Sequence, residues 1–316
     1  MLKTRINEIL GIRYPILQGG MAWITGWEMA AAVCKAGGLG TIAAATMEPQ
    51  ELIESIRMIR KVTERPFAVN IPLRLPMAQR AVEIAVEEQV PVIVSSAGDP
   101  LLHAEKIKHR GITLFQVVFS VDMAKRCNQS GVDGIIAMGA EGGGNISPAE
   151  ISTLVLVREI VQETDLPVVA AGGICDGKGL VAALALGAEG IQMGTRFLAT
   201  WEATVHDSYK QAVLDAIDTD TIMTGRTTGL QFRVRKNLLS EKVLEMERVG
   251  RPREEIDAFT IGSLKKAVIE GDTNWGSLMM GQVAGMIRDI MPVGEMLDQI
   301  VSSALDEIRA LGRYIA

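Results

Sequence analysis

Three glycine-bearing strings in this chain carry groups able to do chemistry. Ala171-Gly172-Gly173-Ile174 and Gly194-Thr195-Arg196 each follow a short apolar run, and their bare backbone N–H groups can close on an anion. The Thr195 hydroxyl and the Arg196 guanidinium add further donors beside the second string. Taken singly, such glycines make tight strand-to-helix turns; taken as a pair, they describe a phosphate site. The third string, Gly139-Ala140-Glu141-Gly142-Gly143-Gly144-Asn145, ends on a carboxamide. Asn145 can donate and accept hydrogen bonds but cannot serve as a general acid or base near neutral pH.

A second group of residues suits a flat heterocycle. Met21 and Trp23, in Gly19-Gly20-Met21-Ala22-Trp23, offer apolar cover, and the Asn70 carboxamide can both donate to and accept from a ring edge. The plainer readings are a core methionine and, with Pro72 two residues on, a turn-forming asparagine. The histidines give less. His103 and His109 fall in a helix-like stretch and read as surface residues, while His206 enters a charged segment from which it could reach a site or serve structure alone.

These strings need elements to position them. Apolar runs recur at Pro15–Gln18, Gly38–Ala43, Phe67–Ile71, Val92–Ser95, Thr113–Val118, Gly134–Ala137, Pro167–Ala170 and Gly190–Met193, most of them continuous, as in parallel strands buried on both faces. Helix-length stretches separate them, such as Glu51–Lys61 after Pro49 and Met77–Glu88 after Pro76. Eight strands alternating with helices predict an α/β fold of the (β/α)8 TIM-barrel type, in which loops at the strand C-termini build the site and those after strands seven and eight hold phosphate. Both glycine loops occupy those places. A Rossmann-like sheet is the alternative, but Gln18-Gly19-Gly20-Met21 lacks the G-x-G-x-x-G spacing and no acidic residue follows at the ribose position.

Beyond Thr195 the pattern changes. Glu202 to Glu270 is charged and helix-prone with no convincing strand, so a small helical lobe is expected after strand eight. The predicted division is a barrel of residues 1–200 and 275–316 and a lobe of residues 201–274 covering the mouth of the site. Val293, Leu297, Ile300, Ala304, Ile308 and Leu311 mark one face of a final helix that should pack on the barrel.

Composition narrows the function classes. The 316-residue chain, 48% hydrophobic, can fill a large core without disulfides or metal. Cys34, Cys127 and Cys175 form no C-x-x-C pair, which points to a reducing cytoplasm and to no metal ribbon. A formal charge of −6, with basic clusters no longer than Arg233-Val234-Arg235-Lys236, argues against nucleic acid. No stretch reaches the ~18 apolar residues of a membrane span, and no leader is evident, so the chain reads as soluble and unprocessed.

Thr4-Arg5 and the string Tyr14-Pro15-Ile16-Leu17-Gln18-Gly19-Gly20-Met21-Ala22-Trp23, with Ala36-Gly37-Gly38-Leu39-Gly40, Pro66-Phe67-Ala68-Val69-Asn70, Ala170-Ala171-Gly172-Gly173-Ile174, Gln192-Met193-Gly194-Thr195-Arg196-Phe197 and Gly281-Gln282, together resemble one family. It is the FMN-dependent nitronate monooxygenase (2-nitropropane dioxygenase-like) and enoyl-acyl-carrier-protein reductase II family. The lobe, with Tyr209-Lys210 and Arg233, is more similar to the reductase II branch. The resemblance implies non-covalently bound FMN. Gly20, Met21, Ala22 and Asn70 would approach the isoalloxazine ring, and Gly172, Gly173, Gly194 and Thr195 would hold the phosphate. Gln192, Met193, Met279, Gly281 and Gln282 would complete the cavity, leaving Asn145 as the catalytic position. Family members carry a histidine there, for proton transfer or for polarising the substrate.

Three functions follow. An alkyl nitronate arrives already ionised, so its oxidation with O2 needs no protein base, and Asn145 need only orient it. An enoyl thioester would instead be reduced with NAD(P)H as reductant, and would need its proton from water or another group; this reading adds acyl carrier protein as a partner. The third reading is an FMN-binding protein with little catalysis, since loss of one acid–base group costs ~10²–10⁴-fold in rate. The oxidation of nitronates is the leading expectation at this level, and a homodimer is left open.

Overall fold

Phe115 and Val117 face one hydrophobic cluster while their neighbours Leu114 and Val118 face another, so this strand is buried on both sides. That double burial is why the apolar runs are continuous rather than alternating. The computed structural model describes residues 2–99 and 101–314. Its strands are β1 (Ile16–Gln18), β2 (Gly40–Ala43), β3 (Phe67–Pro72), β4 (Val92–Ser96), β5 (Thr113–Val118), β6 (Gly134–Met138), β7 (Gly144–Ile146), β8 (Val168–Ala171), β9 (Gly190–Met193), β10 (Thr221–Thr224) and β11 (Gln231–Arg235).

Eight of these form one parallel sheet in the order β1-β9-β8-β6-β5-β4-β3-β2. The two ends meet through a parallel bridge between Leu17 and Leu39, with Gln18 N–H donating to Leu39 O at 2.9 Å and Leu39 N–H to Ile16 O at 3.0 Å. The fold is thus a (β/α)8 TIM barrel, with every barrel strand within two residues of its expected run. Leu17, Ala68, Val94, Phe115, Ile136 and Val169 fill its interior.

The N-terminal helix Arg5–Leu10 seals the end away from the site. Ile6 and Leu10 join the interior cluster, and Thr4 Oγ1 donates to Glu189 O at 2.7 Å, just before β9. The final helix, Val293–Leu311, packs against helices Trp27–Ala36 and Gly177–Ala185 as expected. Its buried face is shorter than predicted. Val293, Leu297, Ile300 and Ala304 are buried, whereas Ile308 and Leu311 are exposed, because the helix runs past the helices it covers.

The stretch Glu202 to Glu270 departs from the expectation of helix alone. It holds helices Asp207–Leu214, Leu238–Arg248 and Arg253–Thr260, but also β10 and β11, which pair antiparallel and continue onto β7. Arg233 and Arg235 break the apolar character of β11, which pairs locally with β10 but finds its second partner, β7, far back in the chain. Among the described residues no helix is long and apolar enough to cross a membrane.

Candidate active site

A cavity of about 590 Å³ opens at the C-terminal ends of the barrel strands. Its deep side is made of backbone. Gly172 and Gly173 have φ of +93° and +72°, a conformation that side-chain-bearing residues rarely adopt. A Cβ on Gly172 would lie 2.9 Å from Gly139 O and 3.1 Å from Gly142 N, so the turn admits only glycine. At Gly20 the added carbon would lie 2.5 Å from Asn70 Cβ. The Asn70 amide donates to Val94 O at 3.0 Å, with Ser96 Oγ at 3.4 Å, which fixes the carboxamide and leaves its oxygen to face the cavity.

Most residues singled out from the sequence converge here. Gly20, Met21, Ala22 and Asn70 line one part, and Gly172, Gly173, Gly194 and Thr195 another. Gln192, Met193, Met279 and Gly281 lie between them. Thr195 Oγ1 accepts from the Gly281 N–H at 2.9 Å in a buried contact, tying the returning C-terminal segment to the loop after β9. Buried Tyr209 donates its hydroxyl to Met279 O at 2.9 Å, and burial pushes the phenol's pKa upward.

Three readings need correction. Gln282 is exposed and outside the cavity lining; only its backbone N–H is engaged, donating to Glu141 O at 3.0 Å. Arg196 is buried beneath the loop and donates to Asp289, at 3.0 Å to the carbonyl and 2.7 Å to the carboxylate, so its guanidinium is not offered to a ligand. Trp23 turns away from the cavity, with φ of +66° and Lys265 Nζ 5.2 Å from its ring centroid. The histidines follow the sequence reading: none of the three lines the cavity, and of the two roles left open for His206 it takes the structural one, capping helix Asp207–Leu214 and accepting from Ser208 N–H at 3.1 Å.

Asn145 lines the cavity from β7, which is a strand and not a free loop. It lies directly opposite Phe232 of β11, so the two side chains stand on one face of the small sheet, and both border the cavity. The Asn145 carboxamide has no hydrogen-bond partner among the described residues. The sheet is braced from behind. Arg233 donates from Nε to Ala140 O at 2.8 Å and from a terminal nitrogen to Thr221 Oγ1 at 3.1 Å, and burial lowers its pKa.

Glu141, in the same glycine run, also lines the cavity, but its carboxylate accepts from Thr153 N–H at 2.8 Å and sits 2.9 Å from Thr153 Oγ1. That hydroxyl is also 2.9 Å from Gly172 O, so the acid holds two loops in register. Leu230 and Phe232 were missed in the sequence, although the alternation of Phe232 and Val234 with Arg233 and Arg235 is a strand signal. Cys175 follows the glycine turn as a buried thiol that burial pushes up to about 11, which makes it a poor nucleophile. Among the described residues no cluster of three His, Cys, Asp or Glu could hold a metal.

The arrangement brings together glycine backbone at Gly172, Gly173 and Gly194, the Asn70 carboxamide beside Gly20, and the neutral Asn145 amide beside the apolar Phe232. A family model for nitronate monooxygenase matches residues 3–79 and 77–303. A (3aS,4S,5R,7aS)-5-hydroxy-7a-methyl-1-oxo-octahydro-1H-indene-4-carboxyl-CoA dehydrogenase of Rhodococcus jostii is 32% identical over 351 aligned residues, 98% of each chain. A probable nitronate monooxygenase of Staphylococcus saprophyticus is 32% identical, covering 96% of this chain and 98% of its own. The solved structure of FabK from Thermotoga maritima superposes with a TM-score of 0.97 at 41% identity over 100% of both chains.

Proposed function

The chain belongs to the nitronate monooxygenase family and is an oxidoreductase, and from that premise we propose that it binds FMN and reduces an α,β-unsaturated acyl thioester at the expense of NAD(P)H. The observation that carries the choice of substrate is the apolar flank of the cavity, where Leu75, Phe119, Leu230, Phe232 and Leu264 extend the site well beyond the glycine loops. A small nitronate does not need that surface; an acyl chain does. The FabK and carboxyl-CoA dehydrogenase likenesses point the same way.

The residues fit FMN. The turn at Gly172 and Gly173 and the loop at Gly194 and Thr195 present bare backbone and a hydroxyl suited to one phosphate, while Gly20 lets the first loop lie flat against Asn70. Met21, Gln192, Met193 and Met279 would border the ring. FMN, when bound, supplies hydride transfer, replenished by NAD(P)H.

Reduction of the thioester would place a hydride on its β-carbon and a proton on its α-carbon, with negative charge developing on the carbonyl oxygen. Asn145 donates its amide N–H to that oxygen where negative charge develops. With no imidazole lining the cavity and Glu141 engaged with Thr153, the proton comes from solvent. Phe232 and Leu230 keep water from the apolar part of the substrate. Residues 201–274 act as a cover over the mouth, supplying Leu230, Phe232, Arg253 and Leu264 to the lining.

Asn145 itself favours a second reading. A carboxamide that orients but does not titrate suits an alkyl nitronate, which is oxidised without a protein base. The test is steady-state turnover of FMN-loaded protein: NAD(P)H consumption with crotonyl thioester under anaerobic conditions against O2 uptake with a nitronate. Thioester-dependent NAD(P)H oxidation at several turnovers per second supports the first reading. Nitronate-dependent O2 uptake without it would replace that reading with the second.

A further inference from the structure

Beside the main cavity lies a second, partly open one of about 190 Å³, lined by β10 and β11, by the helices Leu238–Arg248 and Arg253–Thr260, and by Trp23. The two cavities share Leu230, Phe232, Leu264 and Met279 as a common wall. On its far side the smaller cavity is floored by Val234, Leu239, Val243 and Ile256. Several polar residues on its surface are already satisfied. Asn237 donates to Thr273 O and Gly276 O at 2.9 and 2.8 Å, Thr260 Oγ1 donates back to Ile256 O at 3.0 Å, and Thr228 Oγ1 to Gly225 O at 3.0 Å. What remains for a ligand is mainly hydrocarbon. A void of about 150 Å³ admits a six-carbon ring, so this one has room for a comparable length of chain.

We propose that the second cavity is an acyl-chain extension of the active site: the far end of a medium-length chain passes the wall formed by Leu230, Phe232, Leu264 and Met279 and lodges between β11 and the two helices. Short chains stay in the main cavity. Phe232, opposite Asn145 on the neighbouring strand, is the residue that couples the two spaces, because its ring faces the carboxamide at the reacting end and borders the extension at the other. This assignment rests on the thioester reading above.

The test compares a four-carbon with a ten-carbon enoyl thioester on the FMN-loaded enzyme. Thr260→Phe places a ring in the smaller cavity from a residue that lines it alone. It should lower kcat/KM for the ten-carbon substrate by about tenfold or more while the four-carbon substrate is turned over as before. Phe232→Ala should shift preference further toward the long chain. A second measurement does not depend on turnover: a saturated ten-carbon thioester brominated at its chain end should quench the fluorescence of Trp23, which lines only the smaller cavity, and the quenching should vanish in Trp23→Phe. Equal effects of Thr260→Phe on both substrates, or none on either, together with quenching unaffected by Trp23→Phe, would overturn the assignment. If the enzyme reduces neither substrate, the thioester reading fails, and the quenching alone decides whether the cavity takes an apolar chain.

Discussion

The barrel loops and residues 201–274 line the same cavity by different means. The barrel contributes close-packed backbone as well as side chains: Gly20, Gly172, Gly173 and Gly194 sit where added carbons would strain the turn or narrow the space, beside Met21, Asn70, Leu75 and Phe119. The inserted stretch contributes side chains, Leu230, Phe232, Arg253 and Leu264. Their supports differ as well. The barrel loops rise from two extensive clusters of buried residues, whereas the helices behind β10 and β11 have a separate small core of Leu239, Val243 and Ile256. On the proposed reading, FMN would be held by the part that cannot vary without strain, and the acyl chain would also meet a part whose side chains can change without disturbing it.

The largest expected effect lies on the barrel side. Gly172→Val forces a β-branched residue into positive φ against two backbone atoms, a cost of at least about 3 kcal/mol when strain and steric contact combine. Flavin retention should fall by about 100-fold or more, measured by absorbance of the purified protein and by equilibrium titration with FMN. Full flavin content would remove the phosphate from this loop.

Asn145→Ala probes the border between the two regions. FMN should be retained while kcat/KM for the thioester falls by about 10–100-fold, the loss of one hydrogen bond worth ~1–3 kcal/mol to the transition state. An equal loss of flavin would instead make Asn145 part of the cofactor cradle.

On the inserted side, Val243→Ala removes two methyl groups from the small core and should destabilise it by about 1–2 kcal/mol. Amide exchange in Leu238–Thr260 should quicken several-fold and remain faster than in the barrel strands, which should not change. Uniform acceleration through the barrel would show that the two regions open as one unit.

The smallest effect concerns the thiols. Burial pushes Cys34 and Cys127 up to about 12 and Cys175 up to about 11. Because these folded-state values exceed the ordinary thiol value, their contribution to stability is complete below about pH 9 and is lost as pH rises toward about 11–12. Urea midpoints should therefore hold steady to about pH 9 and decline above it, and the native thiols should resist alkylation at pH 8. Rapid alkylation of Cys175 would mean that the loop after β8 opens.

The barrel was legible because doubly buried strands leave continuous apolar runs and because its turns demand glycine, both local signals. Of the candidate site, Gly20, Gly172 and Gly194 were legible as cavity-lining residues from their glycine turns, and Asn145 from its place at the end of a glycine run. Arg196 misled because a guanidinium beside a phosphate loop reads as a ligand until Asp289, far along the chain, is seen to occupy it. Gln282 misled because its neighbour Gly281 lines the cavity while its own side chain faces outward. β7, β10 and β11 escaped notice because each is only three to five residues long, β10 and β11 sit within a charged, helix-prone stretch, and β7 finds its partner only in distant β11.

The central claim is that Asn145 acts as a neutral hydrogen-bond donor in a site whose proton comes from solvent. The pH dependence of kcat/KM for thioester reduction, in the wild type and in Asn145→His at matched flavin content, tests it most directly. The wild type should show no ionisation between about pH 6 and 8, and Asn145→His should acquire one near 6.5, the ordinary histidine value. A step already present in the wild type over that range, unchanged by the substitution, would mean that another residue holds the proton and that Asn145 is a structural member of β7.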